Sequence, residues 1–121
     1  MPKKVLVVDD VIDVAQTLAA VVSGIGYEAT FVTDPRQALQ VAKHFRPHVI
    51  LLDIGMPYIN GYELVPILRR GLGAPIKIVA ITAWGSVRDR EHSRAVGFDA
   101  HLIKPVDEEQ LKQAIEQLSE T

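Results

Sequence analysis

Five short runs of β-branched and leucine residues alternate with longer segments of helical spacing, and this alternation restricts the fold more than any other feature. The runs are KVLVV (4–8), YEATFV (27–32), HVILL (48–52), IKIVAIT (76–82) and AHLI (100–103). A strand followed by a helix, repeated along one chain, favours a parallel sheet with helices on both faces. The sequence therefore predicts a fold of the α/β class.

Three of the five runs are apolar at nearly every position, at 5–8, 49–52 and 78–81. Strands covered on both faces have continuous apolar runs, so these three are predicted to be buried on both sides. The run at 27–32 alternates more between apolar and polar residues, which indicates a strand nearer an edge.

Apolar residues three and four apart predict helices between the strands. The first helix is expected to start at Asp10, with Asp13 three residues later, and to end at Gly24 and Gly26. Before the second helix, Asp34–Pro35 provides an N-cap and a first-turn proline. The other three helices are predicted at 61–70, at 86–97 and behind the acidic residues 107–109.

Two of these helices are less regular than the others. The helix at 61–70 contains Pro66, which removes one backbone donor and is expected to bend it. The helix at 86–97 has a thin apolar stripe, so its packing should contribute less than that of its neighbours. A weakly anchored helix is either a moving part or an ordinary solvated helix, and both interpretations stay open.

The composition excludes several classes of protein. With 121 residues, 48% of them hydrophobic, the chain is expected to form one domain over 1–121 without an effector domain. A net charge of -2 argues against direct nucleic-acid binding through charge, and the absence of cysteine excludes disulfides and thiolate chemistry. No signal peptide or membrane span is apparent, so we expect a cytoplasmic protein without membrane insertion, as a monomer or weak dimer.

Polar residues follow four of the predicted strands at the points where they end. Asp9 and Asp10 end the first, Asp53 the third, Thr82 the fourth and Lys104 the fifth. The carboxyl ends of parallel strands lie at one edge of the sheet, where ligands bind in open α/β folds. Three carboxylates, one hydroxyl and one ammonium group are therefore expected to converge.

This convergence predicts a metal site. Two carboxylates about 4 Å apart repel by roughly 4 kcal/mol in the effective dielectric of a protein surface. One lysine cannot neutralise three carboxylates, whereas a divalent cation can. Oxygen ligands without histidine or cysteine select a hard ion, and Mg²⁺ held by carboxylates, water and phosphate is the usual pattern.

Asp53 is then a plausible nucleophile, because a carboxylate can form an acyl phosphate. Positioning and charge neutralisation supply most of the catalysis in phosphoryl transfer. Mg²⁺, Lys104 and the Thr82 hydroxyl are suitable groups to hold three phosphoryl oxygens.

The chain resembles the receiver domain of response regulators in two-component signal transduction, particularly receivers attached to hybrid sensor kinases. The resemblance rests on four blocks in the right order and spacing: VLVVDD, VILLDIGMP…NGYEL, VAITA and AHLIKPV, with WGSVRDR behind Ala83. It implies a flavodoxin-like, doubly wound sheet of five strands in the order 2-1-3-4-5, with five helices. It also implies phosphorylation by a histidine kinase or histidine phosphotransfer protein, within a phosphorelay, and an effect on an unknown downstream protein.

The resemblance also assigns roles to residues. Asp53 would accept the phosphoryl group, while Asp10, Asp53 and the Gly55 carbonyl would coordinate Mg²⁺ with Asp9 assisting through water. Thr82 would hydrogen-bond the phosphoryl group and Lys104 would pair with it. The Lys104–Pro105 peptide bond would be cis, and the outer surface of strand 4, helix 4 and strand 5 would be the signalling face.

Two positions depart from the family pattern or extend it. His101 lies where the family usually carries tyrosine or phenylalanine, so it is expected to act as a weakened aromatic switch or not at all. Trp84, the only tryptophan, lies two residues after Thr82 and is expected to shield the acyl phosphate partly from water, or to be an exposed aromatic for a partner. His44, His48 and His92 are interpreted as surface residues.

Other interpretations remain at this point. The aspartates could cap a helix or end a strand, and Lys104 could be a surface lysine before a turn proline. A Mg²⁺ phosphatase is opposed by Gly55, which stands where such enzymes place a second aspartate. A phosphate-independent interaction module on the same fold and a flavin or nucleotide binder are weaker alternatives. The chain could act alone or as part of a larger hybrid protein, and no turnover of an external substrate is expected.

Overall fold

The computed structural model describes residues 3–73 and 75–119, and these residues form one parallel five-stranded sheet with helices on both faces. The strands pair in the order β2-β1-β3-β4-β5, which confirms the predicted topology. Their bounds are β1 Lys4–Val8, β2 Glu28–Val32, β3 Val49–Asp53, β4 Lys77–Thr82 and β5 Ala100–Ile103.

Five helices connect and cover the strands, as predicted. They are α1 Ile12–Ile25, α2 Ala38–Phe45, α3 Gly61–Leu72, α4 Val87–Val96 and α5 Glu108–Ser119. Side chains alternate between the two faces along each strand, and each face has its own core. Helices α1 and α5 cover the face that includes Val7 and Leu51, and α2 and α3 cover the face that includes Leu6 and Ile50.

The central strands are buried and the edge strand β2 is partly exposed, as the apolar patterns predicted. Residues 5–8, 49–53 and 78–82 are all buried, because strands β1, β3 and β4 have a strand on each side and helices on both faces. Strand β2 pairs with β1 alone, and only Val32 of its five residues is buried.

Two helix starts differ from the predictions. Val11 rather than Asp10 is the N-cap of α1, without a side-chain hydrogen bond, and the helix continues through Gly24 to the C-cap Gly26. The Asp10 carboxylate lies instead in a group of acidic residues, which explains why it does not cap the helix. Asp34 caps a short 3₁₀ turn, Pro35–Gln37, rather than the second helix itself. Helix α2 begins after that turn, at Ala38.

Helix α3 starts close against the strand that precedes it. Asn60 and Glu63 form a reciprocal capping box, and the helix runs from Gly61 through Pro66 to Leu72. A Cβ atom at Gly61 would lie 2.7 Å from the Ile54 Cα and 3.0 Å from the Asp53 carbonyl oxygen. This glycine therefore allows the helix to approach the end of β3, where Asp53 is positioned.

Helix α4 has the weakest packing, in agreement with its thin apolar stripe. Ser93 is its only buried residue within the described part of the chain, and Val87 is 72% exposed. A capping box between Ser86 and Asp89 holds its first turn, with the Ser86 Oγ accepting a hydrogen bond from the Asp89 backbone N–H at 3.1 Å. Local capping thus compensates in part for the small apolar face.

Candidate functional site

Asp9, Asp53 and Lys104 meet at the carboxyl edge of the sheet, as predicted. Strands β1 and β3 are neighbours, so the residues at their ends converge, and Lys104 follows β5. The Lys104 Nζ lies 3.3 Å from the Asp53 Oδ1 and 3.6 Å from the Asp9 Oδ2. Asp9 and Asp53 are buried, at 1% and 7% exposure, so a single ammonium group faces two buried carboxylates.

One oxygen in this group has no hydrogen-bond donor. The Asp9 Oδ1 accepts a hydrogen bond from the Val11 backbone N–H at 2.9 Å. Its Oδ2 is buried and accepts none, because the Lys104 Nζ at 3.6 Å is within ion-pair range but too far for a hydrogen bond. A buried carboxylate oxygen without a donor is costly in a protein and is suited to bind a cation.

A third carboxylate completes an acidic cluster, which we define as Asp9, Asp10 and Asp53. One oxygen from each of the three lies within 4.8 Å of the others. Asp10 is half-buried, so the cluster is open to solvent on its side. The ligand atoms are all oxygen, and this set suits a hard divalent ion such as Mg²⁺.

Burial raises the pKa of the Asp53 carboxyl above its ordinary value, and the nearby Asp9 charge raises it further. Lys104 and the Gly55 backbone N–H, 3.3 Å from the Asp53 Oδ1, lower the pKa and offset part of this effect. The ionised form of Asp53 is thus incompletely compensated by the protein alone.

Thr82 is the last residue of β4, at the carboxyl edge of the sheet, and it is buried. The Thr82 Oγ1 accepts a hydrogen bond from the Trp84 backbone N–H at 3.1 Å. Trp84 is 51% exposed, and Gly55 is also exposed. The Lys104–Pro105 peptide bond is cis, as the family resemblance implied.

His101 and Ser93 form a contact that was not predicted from the sequence. The His101 Nδ1 lies 2.8 Å from the Ser93 Oγ, and its Nε2 lies 2.7 Å from the Trp84 carbonyl oxygen. The available signal was helical spacing, because Ser93 is three residues before Val96 and so on the inner face of α4. His44, His48 and His92 are exposed, as predicted.

Comparison with known proteins identifies the class. The family described as "Response regulator receiver domain" matches residues 5–116. The chain therefore belongs to the response regulator receiver domains, the signalling domains of two-component systems, and the family resemblance is confirmed.

Among curated proteins, the chain is similar to regulators of about twice its length. It is 35% identical over 116 residues to the probable transcriptional regulator ycf27 of Cyanophora paradoxa, covering 96% of this chain and 48% of that protein. It is 33% identical over 111 residues to the DNA-binding response regulator MtrA of Mycobacterium tuberculosis, covering 92% and 48%. The chain spans about half the length of these relatives.

Among solved structures, the fold agrees over nearly the whole chain. The chemotaxis protein CheY4 of Vibrio cholerae has a TM-score of 0.88 at 31% identity, covering 98% of this chain and 99% of that one. The receiver domain of the sensor histidine kinase PA1611 of Pseudomonas aeruginosa has a TM-score of 0.88 at 27% identity, covering 100% of both chains. That structure is described with a magnesium ion coordinated in its active site cleft.

The described residues also bear on the membrane prediction. Among them, none of the helices is both long enough and apolar enough to cross a membrane.

Proposed function

We propose that this receiver domain accepts a phosphoryl group on Asp53 from a histidine kinase or histidine phosphotransfer protein, with Mg²⁺ as cofactor. The observation that carries the proposal is the position of Asp53, buried beside Asp9 and 3.3 Å from the Lys104 Nζ at the carboxyl edge. Such a carboxylate is fixed in place, partly neutralised and adjacent to groups that can receive phosphoryl oxygens.

The transfer step follows from these groups. An Asp53 carboxylate oxygen attacks the phosphorus of the phosphohistidine, and an O–P bond forms as the P–N bond breaks. The electron pair of that bond returns to the donor imidazole, which takes a proton from water. Lys104 pairs with a phosphoryl oxygen, and its positive charge stabilises the negative charge that accumulates on the phosphoryl group. The Thr82 oxygen already accepts the Trp84 N–H, so its own proton is available to another phosphoryl oxygen.

The acidic cluster fits Mg²⁺. Its donors are carboxylate oxygens, and the buried Asp9 Oδ2 lacks a hydrogen-bond donor. Asp10, Asp53 and the Gly55 carbonyl would hold the ion, with Asp9 assisting through water. A bound Mg²⁺ supplies positive charge that neutralises the incoming phosphoryl group. The magnesium ion described in the PA1611 receiver supports this choice of metal.

The output of the domain follows from the added charge. Phosphorylation adds a charge of about -1.5 to -2 near neutral pH. For a partner to recognise this local change, the charge must shift the conformation of a weakly packed element. Helix α4 and the loop that carries Trp84 are the candidates, and the outer surface of β4, α4 and β5 would bind the downstream protein. We place this reaction in the cytoplasm and expect neither turnover of an external substrate nor direct binding of nucleic acid by these residues.

Labelling with a small phosphodonor tests the proposal. The protein is incubated with phosphoramidate and Mg²⁺, and the phosphorylated peptide is identified by mass spectrometry. We expect one phosphoryl group on Asp53, no labelling of the Asp53→Asn variant and no labelling of wild type after chelation of the metal. The Glu28→Gln variant is a matched control, because it removes one exposed carboxylate at the opposite end of the sheet. Full labelling of Asp53→Asn would contradict the assignment.

A further inference from the structure

The His101 imidazole is bonded at both nitrogens, and it joins three segments of the chain. It belongs to β5, its Nδ1 lies 2.8 Å from the Ser93 Oγ of α4, and its Nε2 lies 2.7 Å from the Trp84 carbonyl oxygen. The Trp84 carbonyl belongs to the loop between β4 and α4. A packing role alone would need neither of these polar contacts.

The partners determine where the ring proton lies. A carbonyl oxygen can only accept, so the Nε2 must carry the proton that it donates to the Trp84 oxygen. In the neutral ring, the Nδ1 then accepts the hydroxyl proton of Ser93. Ser93 is 1% exposed, and a buried hydroxyl requires such a partner. Ser93 and His101 therefore satisfy each other.

The backbone N–H of Trp84 contacts Thr82, one of the residues proposed to bind the phosphoryl group. This N–H donates to the Thr82 Oγ1 at 3.1 Å, while the Trp84 carbonyl accepts from His101 at 2.7 Å. Both polar backbone groups of this exposed residue are thus held, although its side chain is half in solvent. Because the Thr82 oxygen accepts the Trp84 N–H, the proton of the buried Thr82 hydroxyl can be donated to another acceptor.

We propose that Ser93 and His101 are positioning residues for phosphoryl transfer to Asp53. Ser93 fixes the tautomer and orientation of His101, His101 fixes the Trp84 backbone, and Trp84 orients the Thr82 hydroxyl so that its proton is directed to the phosphoryl group. We call these four residues the hydrogen-bond chain. The inference rests on the proposed function, and it assigns a role to Ser93, the single buried residue of α4 in the described part of the protein.

The tautomer of His101 can be measured without any phosphodonor. In protein labelled with ¹⁵N-histidine, we expect His101 to show the Nε2–H tautomer alone, and the Ser93→Ala variant to show a mixture of both tautomers. Ser86→Ala is the matched control, because it removes the serine that caps the same helix and leaves both contacts of His101 in place. A mixture in wild type, or an unchanged tautomer in Ser93→Ala, would overturn the proposal.

The rate of labelling by phosphoramidate and Mg²⁺ tests the functional part. We expect Ser93→Ala and His101→Phe each to lower the rate about fivefold, the effect of one neutral hydrogen bond. His101→Phe keeps a ring in place and so separates the loss of hydrogen bonds from the loss of volume. In a Thr82→Val background neither substitution should lower the rate further, because the hydroxyl that they position is absent.

Two results would overturn this inference while leaving the proposed function intact. One is an equal loss of rate in Ser86→Ala, which would mean that any loosening of α4 slows labelling. The other is an unchanged loss in the Thr82→Val background. Absence of labelling in wild type would instead overturn the proposed function, and the positioning role with it.

Discussion

The acidic cluster lies at the carboxyl edge of the sheet and the hydrogen-bond chain runs from that edge to α4, and different forces hold the two regions. In the acidic cluster, two buried carboxylates face one lysine, and one buried carboxylate oxygen has no hydrogen-bond donor. In the hydrogen-bond chain the contacts are between neutral groups at 2.7–3.1 Å, and His101 has a partner at each nitrogen.

This difference indicates how each region can respond. A cluster with uncompensated negative charge is stabilised by a bound cation or by protonation, so it responds to changes in the charge around it. A chain of satisfied neutral hydrogen bonds gains little from either, but it transmits a displacement, since moving one member leaves a buried partner unpaired. Thr82 is the member of the hydrogen-bond chain that ends β4, and so it lies at the carboxyl edge together with the acidic cluster.

The largest expected effect concerns the scaffold of the charged region. Gly61→Ala places a Cβ 2.7 Å from the Ile54 Cα, and backbone atoms cannot move aside as a flexible side chain can. We expect a loss of about 1–3 kcal/mol in the free energy of unfolding, measured by urea denaturation. Gly24→Ala is the control, because its Cβ has no neighbour within 4 Å, and its stability should stay equal or rise slightly. Equal losses in both variants would show that Gly61 does not limit the approach of α3.

A smaller effect is expected when a cation balances the acidic cluster. At ten times its dissociation constant, Mg²⁺ should raise the free energy of unfolding of wild type by about 1.4 kcal/mol, and Asp53→Asn should lose most of this gain. Thermal unfolding at several Mg²⁺ concentrations measures both. A full gain in Asp53→Asn would exclude Asp53 as a ligand.

The same variant tests the charge of Asp53 without metal. Because the pKa of Asp53 is raised in the folded protein, its ionised form destabilises the fold at neutral pH, and this cost is relieved as the pH falls through the raised pKa. In metal-free buffer, Asp53→Asn should therefore melt at a higher temperature than wild type at pH 7, with a difference that narrows toward acidic pH. A variant that melts lower at neutral pH would contradict the raised pKa.

The smallest effect is expected at the exposed end of the hydrogen-bond chain. Trp84→Ala removes a half-exposed indole but keeps the backbone N–H and carbonyl that bind Thr82 and His101. If the indole shields the acyl phosphate from water, dephosphorylation of the variant should be a few-fold faster while its labelling rate stays near that of wild type. The decay of phosphorylated protein after removal of the donor measures this, and an unchanged or slower decay would rule out shielding.

Much of the acidic cluster could be predicted from the sequence because parallel strands bring their carboxyl ends to one edge. The buried runs 5–8, 49–52 and 78–81 place Asp9, Asp53 and Thr82 at the ends of their strands. This placement follows from the local apolar pattern and requires no information about contacts between distant residues. The prediction that Asp10 caps the first helix was wrong, because α1 begins at Ile12 and its N-cap is Val11.

By itself, the sequence determined the alternation of elements, the buried strands and the set of polar residues at the edge, since these depend on local periodicity. The tertiary structure alone decided that Asp9 keeps an oxygen without a donor and that His101 reaches both Ser93 and the Trp84 carbonyl. Those features depend on differences of a few tenths of an ångström in the distances between atoms on different elements. Periodicity places a residue on a face, but packing decides which atom it meets there.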